Sequence, residues 1–264
     1  MRLGIIGATG WLGSALGRGV LGTGHVAARD LVLLNRSGPR PDYQGHRDVT
    51  WATDAADLVE RSDVVVLSVR PEDYSSLHLN APGRLVVSFM AGVTMATLAR
   101  TGGRIVRALP NGAAEHGGSY TPWLAAPEVT DADREAVRAL LGAIGTEDEI
   151  PDEGQIDYLT GLSGSGAAYP ALMAVAMLAD ARGRGLSEQV ALRAVEAVIC
   201  GGADMLRGRI GSASALVEAY RSYRGTTAAG LDAAEATGFM KAIGEALEAA
   251  ALKAHRMGSP AASQ

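Results

Sequence analysis

Apolar residues in the first part of the chain fall into short, almost unbroken runs: Arg2–Ile6, Leu31–Leu34, Val64–Val69, Leu85–Ser88 and Arg104–Ala108. Runs of this length, rich in β-branched residues and bounded by Gly, Pro or polar clusters, predict strands covered on both faces, as in a parallel sheet. The segments between them are long enough for crossover helices, notably Trp11–Leu21, Asp54–Glu60 and Thr94–Arg100. One more helix is expected from Thr130-Asp131 to Leu141, followed by an acidic Glu147-Asp148-Glu149 turn that reads as a solvated loop. From about Gly154 the strand pattern stops, and Ala-rich segments with Leu, Val and Met at helical spacing take over. Helices are predicted over Ala168–Ala181, Ser187–Leu206, Ser212–Tyr220, Thr226–Ala236 and Phe239–His255, with Ser187 and Ser212 as N-caps. The fold class is therefore α/β: a doubly wound domain over residues 1–153, then an all-α domain over residues 154–264.

Composition sharpens this division. With 264 residues and 47% hydrophobic content the chain can bury a sizeable core, yet it has only 2 Phe, so the helical part is left with a thin one. Burial between two chains would remedy that, which predicts an obligate homodimer through the C-terminal helices. A single cysteine, Cys200, excludes an intrachain disulfide framework and fits a cytoplasmic location. Because no unbroken apolar run reaches 18 residues, no membrane association is expected. The formal charge of −5 and the lack of a basic stripe argue against a nucleic-acid partner. The 34 glycines follow no repeat, so each cluster needs a local reason.

The first cluster has one. The strand ending at Ile6 runs into Gly7-Ala8-Thr9-Gly10-Trp11-Leu12-Gly13 and then into a helix-compatible segment. Glycines placed this way let the chain turn, bring backbone N–H groups up to a pyrophosphate and allow helix to pack on strand, which marks a Rossmann-type dinucleotide site. About 20 residues further on, such sites read the adenine ribose, with a carboxylate when the cofactor is NAD. Here Asn35-Arg36-Ser37 stands instead. A carboxylate would repel a 2′-phosphate, whereas Arg36 can pair with it, so NADP(H) is expected over NAD(H), with Arg40 as a second cation; a solvated loop arginine is the plainer alternative. Ser68-Val69-Arg70-Pro71, Ala91-Gly92 and Asn111 follow later strands, at the edge where ligands bind open α/β sheets.

In the helical part, Leu162-Ser163-Gly164-Ser165-Gly166-Ala167-Ala168-Tyr169 and Ser222-Tyr223-Arg224-Gly225-Thr226-Thr227 each put hydroxyls and flexible backbone before a helix. The second is a credible carboxylate cradle; simple N-capping by Ser165 and Thr226 is the alternative. His25, His46, His78, His116 and His255 have no metal-ligand spacing, so no metal is expected.

Taken together and in order, these motifs resemble the pyrroline-5-carboxylate reductase family over nearly the whole chain. They are the glycine-rich loop, Leu67–Pro71, Ala91-Gly92-Val93, Pro110-Asn111, Leu162–Gly166 with Ala168-Tyr169, and Gly225-Thr226-Thr227 with Gly230-Leu231 and Glu235. The resemblance implies a helical domain that interlocks with that of a second copy, leaves room for larger rings of dimers, and implies NAD(P)H-dependent reduction of a cyclic imine acid to proline. By position it implies that Thr227 bonds the ring nitrogen, and that Ser222 with the backbone at Gly225 and Thr226 holds the substrate carboxylate. Ser163, Ser165 and Gly166 join the substrate side. Four positions depart from the family pattern: the glycine loop is one residue longer with Trp11 in it, Gly112-Ala113 replaces Thr-Pro, Ala167 replaces Pro, and Tyr223-Arg224 replaces Pro-Gly. Arg224 places a cation in the cradle, which points away from plain pyrroline-5-carboxylate to a related imine or carbonyl compound with a further anionic or polar group; an Arg224 turned to solvent, with ordinary pyrroline-5-carboxylate reduction, is the plainer alternative. The competing expectations are an NADP-linked reductase of another carbonyl or of a deazaflavin, and an NADPH-binding protein without turnover.

Overall fold

A computed structural model describes residues 1–258. The chain forms two compact units, one built by Met1–Ser165 with the segment that begins at Glu248, the other by Gly166–Leu247.

The first unit is organised by one sheet of eight strands: β1 (Leu3–Ile6), β2 (Leu31–Leu34), β3 (Thr50–Trp51), β4 (Val64–Leu67), β5 (Leu85–Ser88), β6 (Arg104–Ala108), β7 (Ser119–Ala125) and β8 (Gly145–Glu149). Their order is β3-β2-β1-β4-β5-β6-β7-β8, and every neighbouring pair is parallel except β6 with β7. The chain starts in the middle of the sheet and winds outward in both directions, which puts the topological switch point beside β1. Crossover helices α1 (Trp11–Gly22), α2 (Ala55–Arg61), α3 (Pro71–Tyr74), α4 (Met95–Ala99) and α5 (Asp131–Gly142) cover the two faces. Alternation along the strands divides the core accordingly: Leu3, Ile5, Val64 and Val66 pack with α1 residues Leu16 and Val20, while Ile6, Val65 and Leu67 pack with Leu58 and Leu98.

Two differences from the sequence reading lie in the last strands of the sheet. The acidic Glu147–Glu149 segment is part of strand β8 rather than a loop, paired in parallel with β7 from Ser119↔Gly145 to Trp123↔Glu149. Its charges sit on an edge strand, where they discourage further strand pairing, and are used locally: Glu147 accepts from the Trp123 indole N–H, and Glu149 accepts from Arg134 and Arg138. Strand β7 escapes the apolar pattern because Pro122 interrupts it, although Trp123 and Thr121 are fully buried. Helix α5 starts at Thr130 as expected, with a reciprocal capping box to Asp133. Arg104 grips the same Asp133 carboxylate with two hydrogen bonds of 2.7 and 2.8 Å, and holds its pKa down at about 2.

Helix α6 (Glu153–Leu159) straddles the expected boundary between residues 153 and 154 and packs in the first unit, where Ile156 is buried with Leu109 and Ile150. The second unit contains α7 (Ala168–Gly183), α8 (Glu188–Glu196), α9 (Gly202–Leu206), α10 (Ala213–Ser222), α11 (Thr226–Ala236) and the first part of α12 (Phe239–Gly258). The helix expected over Ser187–Leu206 runs continuously from Glu188 to Leu206, with a π segment at Ala197–Gly201 joining α8 to α9, and neither Ser187 nor Ser212 makes a side-chain cap. Helix α7 has no buried residue, and Leu172 and Ile210 stay 68% and 73% exposed, so this unit leaves much of its apolar surface uncovered. The stretch Glu153–Gly183 is long and apolar enough, by length and composition, to cross a membrane, although scattered Ser and Gly keep it from being an unbroken apolar run.

Candidate nucleotide and substrate sites

Strand β1 delivers the chain to Gly7, which turns at φ +86°; a Cβ there would lie 2.2 Å from the Ser68 carbonyl oxygen, so only glycine fits. The Gly7 N–H donates to the Leu34 carbonyl, and the Gly10 N–H donates to the Gly7 carbonyl, both at 2.9 Å. The loop is thereby pinned at the carboxyl ends of β1, β2 and β4. Helix α1 begins with Gly10 as N-cap and no capping side chain, so its first-turn N–H groups have no acceptor within the helix. Together with the helix dipole this favours a phosphate.

A cavity of about 720 Å³ opens over this loop. Of the residues expected at the cofactor, Gly7, Thr9, Gly10, Asn35, Arg36, Ser37, Ser68, Val69 and Arg70 line it. Asn35 donates to the Ser37 hydroxyl, which fixes the two against each other. Arg36 reaches Asp73 at 3.6 Å and is otherwise open to solvent. Arg40 does not share this cavity; it lines an adjacent crevice with Thr9, Ser14 and Tyr43. The sequence reading missed Thr53, Asp54, Asp73 and Ser76, which also line the cavity. Asp54 carries the ordinary signal of a helix start, and it does cap α2 by accepting from the Asp57 N–H; its second position, at the cavity, depends on the sheet.

Trp11, Leu12, Pro71, Ala91, Gly92 and Asn111 lie outside that cavity lining. Trp11 stays 65% exposed, with its ring edge filling the space where Gly112 has no side chain: a Cβ on Gly112 would meet the ring at 2.6 Å. Two departures from the family pattern thus account for each other. Asn111 accepts from the Ala113 N–H and donates to the Ser163 carbonyl, each at 2.9 Å, linking the end of β6 to the π turn Thr160–Gly164. Gly92, at φ +75°, faces Met257 and Ala254 of α12 rather than open space. Below it lies a network the sequence did not reveal. Fully buried Arg107 pairs with Glu153 and, at 3.7 Å, with Asp157; Glu153 also accepts from the Met95 N–H at 2.7 Å, and Asp157 meets His255 at 3.2 Å. These contacts fasten the Ala91–Thr94 loop, α6 and the end of α12 to β6.

Ser163 and Ser165, in the first unit, turn their hydroxyls back to the Leu159 and Thr160 carbonyls, so Ser165 does not cap α7. In the second unit, α11 begins at Thr226 with Gly225, not Thr226, as N-cap and no capping side chain. Gly225, Thr226 and Thr227 line a cavity of about 490 Å³ with Tyr220 and Tyr223. Arg224 faces a neighbouring hollow of about 340 Å³ shared with Arg221, Gly225 and Asp232. Arg224 adopts φ +50°, the left-handed region that favours glycine, so the turn keeps a glycine's backbone shape while carrying a cation. Arg221 is neutralised by Glu235 and Asp232, at 2.6 and 3.5 Å, whereas Arg224 forms no ion pair among the described residues. Ser222 lines neither hollow and bonds back to the Ala219 carbonyl at 2.9 Å.

Comparison with known proteins accounts for both parts. The chain matches the family model for pyrroline-5-carboxylate reductase dimerisation over residues 153–257, and that for NADP oxidoreductase, coenzyme F420-dependent, over residues 2–92. It is 33% identical to pyrroline-5-carboxylate reductase of Mycobacterium tuberculosis, covering 97% of this chain and 96% of that one. It is 34% identical to the enzyme of that name from Thermus thermophilus, covering 98% and 99%. Among solved structures it resembles a pyrroline-5-carboxylate reductase from Coxiella burnetii (TM-score 0.86, 25% identity, 98% and 99% covered). It also resembles pyrroline carboxylate reductase from Plasmodium falciparum with NADP bound (TM-score 0.83, 25% identity, 98% of each chain). With this identity sustained from end to end, the chain belongs to the pyrroline-5-carboxylate reductase family.

Proposed function

We propose that this protein reduces pyrroline-5-carboxylate to proline with NADPH. The observation that carries the reading is the end-to-end similarity to enzymes of that name, which spans both the nucleotide half and the dimerisation half. The residues present fit the cofactor. The uncapped start of α1 and the glycine loop suit a pyrophosphate, and Arg36, with Asn35 and Ser37 beside it, suits a 2′-phosphate better than a bare ribose. The absence of a carboxylate at position 35 supports NADPH over NADH, and the Arg36–Asp73 pair would open so that Arg36 could turn to the phosphate.

When bound, the dihydronicotinamide supplies a hydride to the C=N carbon, and the protonated ring nitrogen takes up the electron pair of the double bond. The chain's own task is alignment, so no strong acid–base pair is needed. Thr227 is assigned the hydrogen bond to the ring nitrogen. The N–H groups at Gly225 and Thr226 are assigned the substrate carboxylate; the Ser222 hydroxyl, held on the Ala219 carbonyl, takes no part. The Trp11 and Leu12 backbone is assigned the pyrophosphate with the rest of the glycine-rich loop, and Pro71, Ala91, Gly92 and Asn111 the ribose and nicotinamide. Arg224 favours substrates with a second anionic or polar group, so related substituted imines belong in the test. The uncovered helices of the second unit are assigned to a homodimer, where apolar residues such as Leu172 and Ile210 meet a second copy rather than lipid. A cytoplasmic location fits a reaction that draws on NADPH.

Steady-state NADPH oxidation with pyrroline-5-carboxylate, substituted cyclic imines, simple ketones and a deazaflavin tests the reading. Turnover with the cyclic imine acids alone supports it. Preference for ketone or deazaflavin, or binding of NADPH with no turnover on any of them, overturns it.

A further inference from the structure

The segment joining β2 to β3 serves the nucleotide site from two directions. Its first residues, Asn35–Ser37, line the large cavity, while Tyr43 reaches the glycine-rich loop from behind. Tyr43 is buried, with its hydroxyl 2.9 Å from the Ala8 carbonyl oxygen and 3.2 Å from that of Gly13. Those two carbonyls bracket Thr9–Leu12, the stretch whose backbone is offered to the pyrophosphate. A phenol has one proton, so the two acceptors share it in a three-centre bond. Burial pushes the phenol well above its ordinary pKa, against the pull of Arg18 and Arg40, so the donor keeps its proton.

The ring has a slot made for it. Gly17 of α1 leaves the space: a Cβ there would lie 2.1 Å from the Tyr43 hydroxyl. Trp51 closes the other side edge-to-face, at 6.2 Å between centroids. Tyr43 and His46 exchange both backbone hydrogen bonds, at 2.8 and 2.9 Å, and the Gln44 side chain donates to the Ser14 hydroxyl at 2.8 Å. The turn therefore clasps the glycine-rich loop at Ala8 and the first turn of α1 at Gly13 and Ser14.

We propose that Tyr43 is a positioning residue that ties the ribose-reading segment Asn35–Ser37 to the pyrophosphate loop, so that the two halves of the nucleotide site keep their spacing as one body. The proposal rests on the nucleotide reading above. Without the hydroxyl, the buried Ala8 carbonyl loses its donor, the loop relaxes, and Arg36 is no longer held at a fixed distance from the pyrophosphate. Tyr43 is remote from the reacting atoms, so its effect falls on cofactor affinity, and most on the cofactor that carries a 2′-phosphate.

The experiment is fluorescence titration of the full chain with NADPH and NADH, in wild type, Tyr43→Phe, Arg36→Ala and the double variant, with kcat measured at saturating NADPH. Tyr43→Phe is expected to weaken NADPH about tenfold and NADH about threefold while kcat stays within twofold. The Arg36→Ala effect is expected to be smaller in the Tyr43→Phe background than in wild type, because the two act through one spacing. Independent, multiplying effects, or a lowered Tm with NADPH affinity unchanged well below the transition, would overturn the proposal. If Tyr43→Phe does not fold, Gln44→Ala, which breaks the exposed side of the same clasp, decides: a selective loss of NADPH affinity supports the proposal and an unmoved Kd sinks it. Wild type that fails to bind NADPH removes the nucleotide reading and this proposal together, whereas tight wild-type binding with an unmoved Tyr43→Phe removes only the role of Tyr43.

Discussion

Replacing Arg36 with Ala isolates the basis of cofactor choice. In the free protein the guanidinium is 88% exposed and 3.6 Å from Asp73, itself 41% exposed, so the ion pair contributes about 0–1 kcal/mol. A hydrogen bond between charged groups contributes about 1.5–3 kcal/mol, so with the ion pair taken at its midpoint of about 0.5 kcal/mol, exchanging Asp73 for a 2′-phosphate leaves a net gain of roughly 1–2.5 kcal/mol. Arg36→Ala should therefore raise the Kd for NADPH about five- to sixtyfold and leave NADH within about twofold. Because the site is open to solvent, the difference should shrink as ionic strength rises. Asp73→Asn gives the opposite sign, tightening NADPH by removing a competing carboxylate from the cavity. Titration of both cofactors at low and at moderate salt measures all of this. Equal loss of NADPH and NADH in Arg36→Ala, or no loss of either, would refute the assignment of the phosphate to Arg36.

Other expectations follow from other sites. Thr227→Val keeps the shape of the α11 start but removes the hydroxyl assigned to the ring nitrogen; kcat should fall about ten- to a hundredfold with little change in NADPH affinity, measured by steady-state kinetics. The Asp133 carboxyl sits at about 2 in the folded chain, against an ordinary 3.8, because Arg104 and the Thr130 cap favour its ionised form. A depressed carboxylate pKa gives stability that is full above about 4 and is lost as pH falls toward 2. Asp133→Asn should thus cost on the order of 1–2 kcal/mol at neutral pH, after allowance for the partly exposed Arg104, and flatten the acid limb of a stability–pH profile. Arg107→Met leaves Glu153 and Asp157 facing each other without their cation, and should lower stability by about 3–5 kcal/mol in denaturant unfolding, whereas Arg70→Met, whose partner Glu72 is exposed, should cost under about 1 kcal/mol.

What could be read from the sequence follows the range of the interactions involved. The β1–loop–α1 unit was legible because every reason for it is local: an apolar run, a turn that needs Gly7, and a helix start at Gly10. The substrate motif was legible to the level of backbone shape, since α11 does begin at Thr226 with Gly225 as its N-cap, but Ser222 and Ser165 spend their hydroxyls on nearby carbonyls rather than at a cavity or a cap. Strands β7 and β8 were obscured because Pro122 and the Glu147–Glu149 charges mimic loop composition, and only their pairing makes them strands. Tyr43 and Arg107 could not be found at all. One acts on carbonyls some 30 residues earlier in the chain, at Ala8 and Gly13, and the other on carboxylates roughly 50 residues later, at Glu153 and Asp157. The Trp11–Gly112 contact is intermediate: each residue was visible as a departure, and their shared cause required the fold.

The most direct measurement is the fate of the transferred hydride. Incubation of the protein with pyrroline-5-carboxylate and NADPH deuterated at the reactive position of C4 should yield proline carrying one deuterium at the ring carbon that formed the C=N bond, in one-to-one proportion to NADPH consumed. Proline without that label, or NADPH consumption that leaves pyrroline-5-carboxylate unchanged, would contradict the account.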